Sequence, residues 1–447
     1  MTKTMTWWVA GALAAQGCGV DTEADVQSAT ASDGARLYEF VPPNPRDADS
    51  IMGDVELAVI YAELDGFGPQ AIDPQDLRTV LGHPEQGGIH NGEPPPFIQV
   101  APYFEDVSYG QLRIHPTVFD TSVQLDTSPA DYCNNYEDGD LVEMNSCSMG
   151  ELQRDILDAS VDQLGLNLDA FDGFLIVLNG LGQAGFAKHS LTHGRAVRRV
   201  AMIRDSPKEL GYDAQPAMVS LKSLVIHELA HSLGNLRHAA HWDCLPDVVG
   251  PDPYDPVQGC EEVGNADPWS PIGAHAVRGL SAYSRSLWGF LERERTYWAF
   301  ASKGHFQEVE LDALELTSDG RQEIRIPFDD NDLDTFYSVE YRRPIGVDAA
   351  PLTANEALRF VNLEEGDVID GLVVRLRSDS IGEAQTDVSG ANEGEAAILY
   401  QLVTPDEPFY DPYNFISLSI SPTKGDRAIV DVGVNVLLVD PAFTATR

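Results

Sequence analysis

The sequence predicts a mixed α/β domain with a twisted sheet and a functional helix, followed by an all-β sandwich. Apolar, β-branched runs of strand length such as Val55–Tyr61 alternate with helical patterns in residues 51–302. Within that region, Val219–Leu233 is an apolar run free of Gly and Pro, which indicates a helix. After a linker near residues 301–304, strictly alternating segments take over, and this pattern is typical of a sandwich in residues 303–447.

The first fifty residues have the pattern of a signal peptide followed by a polar tether. The apolar run Trp7–Ala15 follows one lysine and is too short to span a bilayer, so residues 1–18 are predicted to be a signal peptide. Cys18 is then a candidate lipidated residue that would anchor the protein to a bacterial membrane, with ordinary cleavage near Ala14 or Ala15 as the alternative. Residues 19–50 are polar and indicate a tether. We therefore expect an extracytoplasmic protein, either secreted or a surface lipoprotein of a bacterium.

Cysteine usage agrees with export. The chain has five cysteines, and setting Cys18 aside leaves four. Their proximity in sequence favours the pairs Cys133–Cys147 and Cys244–Cys260, although three pairings of four cysteines are possible. Disulfides of this kind indicate an oxidising compartment.

The charge balance excludes some classes of partner. The chain has 71 acidic and 29 basic residues, a formal net charge of −42. Such a chain is repelled by nucleic acids and by anionic membrane surfaces. Because the acidic residues are spread along the chain, they indicate a solvated surface and not a single binding site.

Several elements are predicted ahead of the functional helix. Tyr103–Ile114 has the character of a helix followed by a strand, Leu152–Leu164 shows a broad apolar helical face, and Gly173–Leu178 indicates a buried strand. A further strand is expected around Val197–Ile203. This order of elements is typical of an α/β core in which the sheet precedes the functional helix.

The stretch Gly180–Gly185 matches the GxGxxG pattern of dinucleotide-binding loops. The residues that follow lack the apolar stripe of a helix, so no helix N-terminus is available to bind a pyrophosphate. A glycine-rich loop leading to a strand is favoured instead. His189 and His193 are candidates for lining a cleft beside that strand, but we expect solvated loop histidines.

The functional helix contains one HExxH motif. On a helix, His227 and His231 lie one turn apart on the same face, where two imidazoles can bind one Zn²⁺ ion. Glu228 would then act as the general base towards a water molecule whose pKa the metal lowers to roughly 7. A chance match on a core helix is the competing interpretation.

A catalytic zinc site needs a third protein ligand. Gly234 is predicted to adopt a positive φ, end the helix and turn the chain back towards the metal. The nearest imidazoles beyond this turn are His238, which we favour, and His241. A glutamate ligand would have to be Glu261 or Glu262, which lie in a Pro- and Gly-rich stretch and are disfavoured.

The motif and the residues after it resemble the metzincin-type zinc peptidases, within them the gametolysin-like and immune-inhibitor-A-like families. Their pattern is similar to HExxHxxGxxH followed by Ala. In this chain Arg237 stands at the third-ligand position and cannot coordinate a metal, and His238 and Ala239 come one residue later, as a single insertion in the turn would produce.

Further segments carry the same resemblance. Glu262–Gly273 is similar to the Met-turn of these families, with Ile272 in place of the methionine that forms an apolar floor under the metal. Leu280–Gly289 resembles the helix that follows this turn, and Tyr337–Gly346 resembles a segment found after the catalytic domain. The resemblance implies a metzincin-like catalytic domain at 51–302.

Six alternating segments with turn residues between them predict the C-terminal sandwich. They are Val309–Leu311, Ile324–Phe328, Tyr337–Tyr341, Leu372–Leu376, Ile416–Ile420 and Val430–Val436. Between two of them, Asp329–Asp334 offers oxygen ligands for Ca²⁺. This run lacks the glycine and the distal glutamate of an EF-hand, so an acidic hairpin loop is favoured.

Two functions follow as expectations. The first is a zinc-dependent endopeptidase that hydrolyses peptide bonds in proteins, with His227, His231 and His238 as metal ligands and Glu228 as the general base. The second is a non-catalytic surface lipoprotein that retains the fold for adhesion or binding. The departures at Arg237 and Ile272 motivate the second, and the intact Glu228 opposes it.

Overall fold

The structure is a computed structural model that describes most of the chain after residue 50. The described residues are 51–65, 72–82, 99–133, 136–137, 140–141, 147–179, 185–204, 217–236, 238–244, 260–263, 267, 270–272, 278–330, 332–351, 366–378, 397–405, 408–411, 414–422 and 425–434. They all belong to one unit, 47–447. The predicted signal peptide, Cys18 and the tether lie outside the described residues.

The described part of the chain is mixed α/β, with several sheets and few helices. Up to residue 298 its elements are β1 (Gly53–Leu64), α1 (Pro74–Leu81), α2 (Val100–Val107), β2 (Leu112–Val118), β3 (Val123–Leu125), α3 (Pro129–Tyr132), β4 (Tyr136–Glu137), β5 (Asp140–Leu141), α4 (Met149–Leu164), β6 (Gly173–Leu178), β7 (Gly185–His193), β8 (Ala196–Arg204), α5 (Ala217–Gly234), β9 (Ala239–Cys244), β10 (Cys260–Val263), α6 (Ala282–Trp288) and β11 (Thr296–Trp298).

The remaining elements are almost all strands. They are β12 (Phe306–Asp312), β13 (Glu323–Asp329), β14 (Asp332–Arg342), β15 (Gly371–Ser378), β16 (Ala397–Val403), β17 (Phe409–Asp411), β18 (Ile416–Pro422) and β19 (Arg427–Gly433). Four 3₁₀ turns occur at Leu168–Ala170, Arg293–Arg295, Ala301–Lys303 and Gly346–Ala349 among the described residues. The six predicted alternating segments all fall in strands, with Val430–Val436 described as far as Val434.

The first sheet has the order β2-β1-β6-β8-β7, and β3 pairs with the end of β1. All neighbours are parallel except β7, which runs antiparallel to β8 at the edge of the sheet. Residues 55–62 of β1 are an almost uninterrupted apolar run, as expected for a strand with both faces covered. The predicted strand Gly173–Leu178 is confirmed residue for residue as β6.

Each face of this sheet carries its own hydrophobic core. On one face, Leu57 and Val59 pack in a cluster with residues of α1, α2 and α5. On the other face, Ala58, Ile60 and Ala62 pack in a cluster with residues of α4. Helix α5 is therefore held against the sheet by its apolar side chains from Leu221 to Leu233.

The C-terminal strands form two sheets that share one core. A seven-stranded sheet has the order β10-β9-β16-β15-β14-β13-β11, and a four-stranded sheet has the order β12-β19-β18-β17. Tyr337, Val339 and Val374 from the larger sheet lie in one cluster with Val430 and Val432 from the smaller sheet. This shared core is the one that the alternating pattern predicts.

The seven-stranded sheet also includes strands that precede residue 303. The hairpin of β9 and β10 and the short strand β11 all belong to it. Strand β16 pairs with β9 in parallel, with Ala397 opposite Ala239 and Leu399 opposite His241. The periodicity analysis missed β16, because its residues, Ala397–Val403, form an almost continuous apolar run without a two-residue alternation. The sheet thus joins parts of the chain on both sides of the predicted boundary.

Two further findings concern export and membranes. Cys133 and Cys147 form a disulfide, the pairing that sequence proximity favours. Cys244 lies directly opposite Cys260 in the β9–β10 hairpin, which is the backbone arrangement that the second predicted pair requires. No described helix combines the length and the apolar character needed to cross a bilayer.

Candidate metal centre

Helix α5 carries the HExxH motif in a buried position. Residues 221–234 are all buried, which is expected for a helix that is apolar on most of its circumference. His227 and Glu228 are each 5% exposed and His231 is 7% exposed. Leu224, which belongs to the same core cluster as the sheet, helps to fix the helix. Helix α5 therefore presents three polar side chains in a buried, water-poor position.

The end of α5 corrects one detail of the prediction. The helix ends at Gly234, but the left-handed residue is Asn235, with a φ of 50°, a conformation that Asn tolerates. Gly234 is required for another reason: a Cβ there would lie 2.5 Å from Cε3 of Trp288. The chain still reverses at this point, because Leu236 donates its backbone N–H to the Ala230 carbonyl.

This turn brings a third imidazole to the helix. Ligand-capable atoms of His227, His231 and His238 lie within 4.8 Å of one another. The ring centroid of His238 is 4.5 Å from that of His231 and 5.4 Å from that of His227. Within the described residues, this is the single group of His, Cys, Asp and Glu side chains close enough to share a metal ion.

Backbone carbonyls set the orientation of two of these rings. Nδ1 of His227 lies 2.9 Å from the carbonyl oxygen of Pro271, and Nδ1 of His231 lies 2.5 Å from that of Leu236. Because a carbonyl only accepts, each Nδ1 carries the hydrogen and each Nε2 is left with a lone pair. The two Nε2 atoms are 3.1 Å apart. Facing lone pairs at this distance favour a shared cation, and the backbone partners are typical of metal-binding histidines.

Glu228 lies beside the first residue of β7. A Cβ on Gly185 would be 2.1 Å from Oε1 of Glu228, so a glycine is needed for the carboxylate to occupy its place. Gly185 is the last glycine of the GxGxxG stretch. The motif therefore has a packing role at this position, and Gly180–Gly182, its first part, lies outside the described residues.

The predicted Met-turn segment reaches the same site. Pro271 provides the carbonyl that orients His227, and Ile272 is fully buried in the cluster that includes Leu229 and Ala230 of α5. Asp267, earlier in the segment, is also fully buried. The apolar position expected from the resemblance is thus occupied by Ile272 next to the ligand-bearing helix.

The two other candidate histidines have structural roles. The expectation of solvated loop residues is wrong, since His189 and His193 both lie on β7. Nδ1 of His189 is 2.9 Å from the carbonyl oxygen of Ser232, and Nε2 of His193 is 3.0 Å from Asp158. The loop interpretation failed because the mixed polarity of this edge strand hides its two-residue period.

Other predicted candidates are only partly described. Arg237 lies outside the described residues, and His241 is placed on β9 by its backbone alone. Glu261 and Glu262 lie on β10 in the same way. In the acidic run, both carboxylate oxygens of Asp330 accept backbone N–H groups, from Ala301 and Ser302. Strands β13 and β14 pair antiparallel on either side of this residue, with Asp329 opposite Asp332, as in the hairpin that the sequence favours.

The sequence analysis missed a set of buried charges next to the site. Nε of Arg375 donates to Asp267 at 2.7 Å, and both side chains are almost completely buried. Glu340 and Arg342 lie in the same network. Charged residues at alternate positions of β14 and β15 were visible in the sequence, but alternation alone indicates a solvated face.

The chain was also compared with known proteins. No family model matches it, and no curated protein matches it either.

Proposed function

We propose that this protein is an extracytoplasmic zinc-dependent endopeptidase. The observation that carries the proposal is the group of three imidazoles of His227, His231 and His238, together with Glu228, which follows His227 on the buried helix α5. Three protein ligands with room for a fourth are the arrangement of catalytic zinc sites, whereas structural sites use four.

The donor set fits zinc. Imidazole nitrogens are ligands that Zn²⁺ prefers, and two of the three rings already direct Nδ1 to a backbone carbonyl, the arrangement in which Nε2 carries the lone pair. When bound, the metal supplies Lewis acidity, which acidifies a water molecule and polarises a scissile carbonyl. Those rings do not need to reorient to receive the ion, because Pro271 and Leu236 already hold them.

Glu228 supplies the proton transfer. Its carboxylate accepts a proton from the attacking water and delivers that proton to the leaving amine nitrogen as the C–N bond breaks. Burial at 5% exposure keeps bulk water away from the carboxylate and strengthens its electrostatic interactions. The edge strand β7 begins beside Glu228, and an extended peptide substrate could pair with it by β-augmentation.

A metzincin-like catalytic domain with a C-terminal β-sandwich is the fold that accompanies this proposal. The mostly parallel sheet with an antiparallel edge strand, the buried HExxH helix and the turn at Pro271–Ile272 support the resemblance. The shared core of the two C-terminal sheets supports the sandwich. The Cys133–Cys147 disulfide supports export, because such bonds persist in oxidising compartments. Anchoring through a lipidated Cys18 belongs to the same proposal.

The test is hydrolysis of an unfolded protein substrate, with bound zinc measured in the same samples. We expect about one zinc per chain, cleavage that a chelator abolishes, and a loss of at least about a hundredfold in Glu228→Gln with zinc retained. Glu308→Gln, an exposed position on β12, is the matched control and should keep full activity. His238→Ala should lose zinc and His241→Ala should keep it.

The outcomes separate the two candidate functions. Stoichiometric zinc without cleavage under any condition would replace the peptidase with the non-catalytic surface lipoprotein. Wild-type protein that binds no metal would overturn both the zinc site and the enzyme.

A further inference from the structure

We propose that Arg375, on the C-terminal sheet, is a positioning residue for the metal centre. It acts through Asp267 on the turn whose Pro271 carbonyl orients His227. The inference rests on the metal site of the proposed function and adds to it a residue more than a hundred positions away in sequence.

Arg375 lies on β15, on the face of the sheet that points away from the sandwich core. Its side chain is 2% exposed, and its Nε donates to Oδ2 of Asp267 at 2.7 Å, where the carboxylate is fully buried. A charge-assisted hydrogen bond in such a low-dielectric place is directional and strong. The position of Asp267 is therefore coupled to that of strand β15.

Asp267 leads directly to a metal ligand. Its carbonyl oxygen accepts the N–H of Ser270 at 3.3 Å, which closes a short turn. The next residue, Pro271, presents its carbonyl to Nδ1 of His227 at 2.9 Å. A displacement of Asp267 would move this carbonyl, and with it the ring whose Nε2 faces the metal position.

Arg375 is itself held in place by a second carboxylate. Its Nη1 donates to Oε1 of Glu340 at 2.5 Å, and the same oxygen accepts from Nε of Arg342 at 2.6 Å. The other oxygen of Glu340 accepts the backbone N–H of Ala282 at 2.5 Å. The network therefore holds the chain at Asp267, ahead of the Pro271 turn, and again at the start of α6.

Arg342 strengthens this second attachment. Its Nη2 donates to the carbonyl oxygens of Gly279 and Leu280, and its Nη1 pairs with Asp348 at 2.7 Å. Asp348 in turn accepts the N–H of Gly279 at 2.9 Å. Segments on both sides of the turn beneath His227 are thus fixed to the C-terminal part of the chain.

The third ligand has a separate connection to the same sheet. Ala239 follows His238 directly and begins β9, which pairs in parallel with β16. The backbone after His238 is therefore part of the seven-stranded sheet. Two independent connections lead from this sheet to the metal centre, one to His227 and one to His238.

The energetics favour a positioning role over simple stabilisation. Buried ion pairs are often no more stabilising than apolar side chains of the same volume, because desolvation offsets the attraction. Buried ion pairs do provide a defined geometry, because the planar guanidinium of an arginine that bridges two carboxylates accepts few arrangements of them. Partners beyond the metal ligands typically change metal affinity by about 10–100-fold when they are altered.

The experiment measures zinc affinity of the full chain by competition with a chromophoric chelator, for wild type and for Arg375→Lys. Lysine keeps the charge but cannot reproduce the two-carboxylate geometry. We expect the variant to fold and to bind zinc about tenfold more weakly. The cobalt-substituted protein should show a changed visible absorption spectrum, which reports ligand geometry and not stability.

The matched control is Arg325→Lys. Arg325 lies on β13, two strands away from β15 in the same sheet, and pairs with the buried Glu323 at 2.9 Å instead of with Asp267. The Arg325→Lys variant should lower the thermal midpoint of the metal-free protein about as much as Arg375→Lys does. It should leave zinc affinity and the cobalt spectrum unchanged. If Arg375→Lys does not fold, Asp267→Asn, which retains the Arg375–Glu340 pair, should show the same weakened binding.

Several results would overturn the inference. Zinc affinity and a cobalt spectrum equal to wild type in Arg375→Lys, or in Asp267→Asn where Arg375→Lys does not fold, would remove the positioning role and leave the proposed peptidase intact. Equal losses in Arg375→Lys and Arg325→Lys would mean a general effect of stability. A wild-type chain without bound metal would remove the proposed function and the inference together.

Discussion

Strands β1 and β14 are central in their sheets and both are buried on two faces, but the chemistry of the second face differs. On β1, Leu57 and Val59 face one apolar cluster and Ala58 and Ile60 face another. On β14, Tyr337, Val339 and Tyr341 face the shared apolar core. The opposite face buries Ser338, Glu340 and Arg342, each at most 2% exposed.

The two kinds of buried face differ in how strictly they fix the position of the segments packed against them. Apolar contacts are non-directional, so α4 or α5 could shift slightly against β1 at small cost. Buried charges need particular partners at particular distances, because an unpaired one is strongly destabilising. The charged face of β14 and β15 therefore fixes the position of the chain around Asp267 and Gly279, near the candidate metal centre.

The largest effect is expected when one partner of the charged face is removed. Arg342→Met leaves Glu340 and Asp348 without a shared cation and should lower the free energy of unfolding by about 3–5 kcal/mol. Urea unfolding near pH 7 measures it. Arg113→Met removes exposed pairs with Asp54 and Glu105 and should cost less than about 1 kcal/mol. Equal losses in the two variants would contradict the comparison.

A second effect appears in acid. Burial alone would raise the pKa of Glu340, but Arg342 and Arg375 outweigh it and lower the pKa from 4.5 to about 2. Between pH 4.5 and about pH 2, the unfolded chain binds more protons than the folded chain, so the free energy of unfolding falls as the pH falls. The contribution is on the order of 3 kcal/mol, present above about pH 4.5 and lost as the pH approaches about 2.

This effect is measured by urea unfolding of wild type and Glu340→Gln from about pH 6 to about pH 2. Other carboxylates titrate in the same range, so the difference between the two proteins is the informative quantity. The stability advantage of wild type should shrink as the pH falls. A constant difference would show that Glu340 has an ordinary pKa in the folded state.

The apolar face of β1 should respond less. Ile60→Val removes one methylene from a fully buried side chain and should cost about 0.5–1.5 kcal/mol, without any change in the pH dependence. Thermal unfolding at two pH values tests both statements. A pH-dependent loss would mean that the first sheet also depends on charged neighbours.

The smallest effect is expected at Glu315. Burial raises the pKa of this carboxyl well above its ordinary value, and the nearby Asp348 adds to the shift, so the folded chain holds this proton to a higher pH than the unfolded chain does. Glu315→Gln, a neutral isostere, should change stability by less than about 1 kcal/mol at about pH 4, where the carboxyl is mostly protonated in both states.

The sign of its pH dependence is opposite to that of Glu340. The unfolded chain loses the Glu315 proton above pH 4.5, whereas the folded chain retains it, so the wild type loses stability as the pH rises. Glu315→Gln should therefore gain on wild type as the pH rises above 4.5. A variant that loses ground in this range would indicate an ionised Glu315.

Local features of the candidate site could be predicted from the sequence. The spacing of His227 and His231 puts both rings on one helical face, and the apolar run around them predicts a buried helix. The same holds for β6 and for the six alternating segments. These features depend on neighbours within a few residues, which a sequence displays directly.

Distant contacts could not be predicted. Nothing near Gly185 shows that Glu228 will lie against it, and nothing near Arg375 shows that Asp267 will accept its hydrogen bond. Alternation correctly assigned β14 to a strand, but it indicated a solvated polar face. The face is buried because α6 and the turn before it cover it, and that packing depends on residues far away in the chain.

The sequence by itself thus determined helix α5, strand β6, the strands of the six alternating segments and the two histidines of the motif, because hydrophobic period and residue spacing act over one or two turns. The tertiary structure decided which later histidine joins them, the tautomers that expose Nε2, and the burial of the charged face. Each of these depends on tertiary contacts between segments that are far apart in the chain, and the hydrophobic pattern of the sequence does not show which segments make contact.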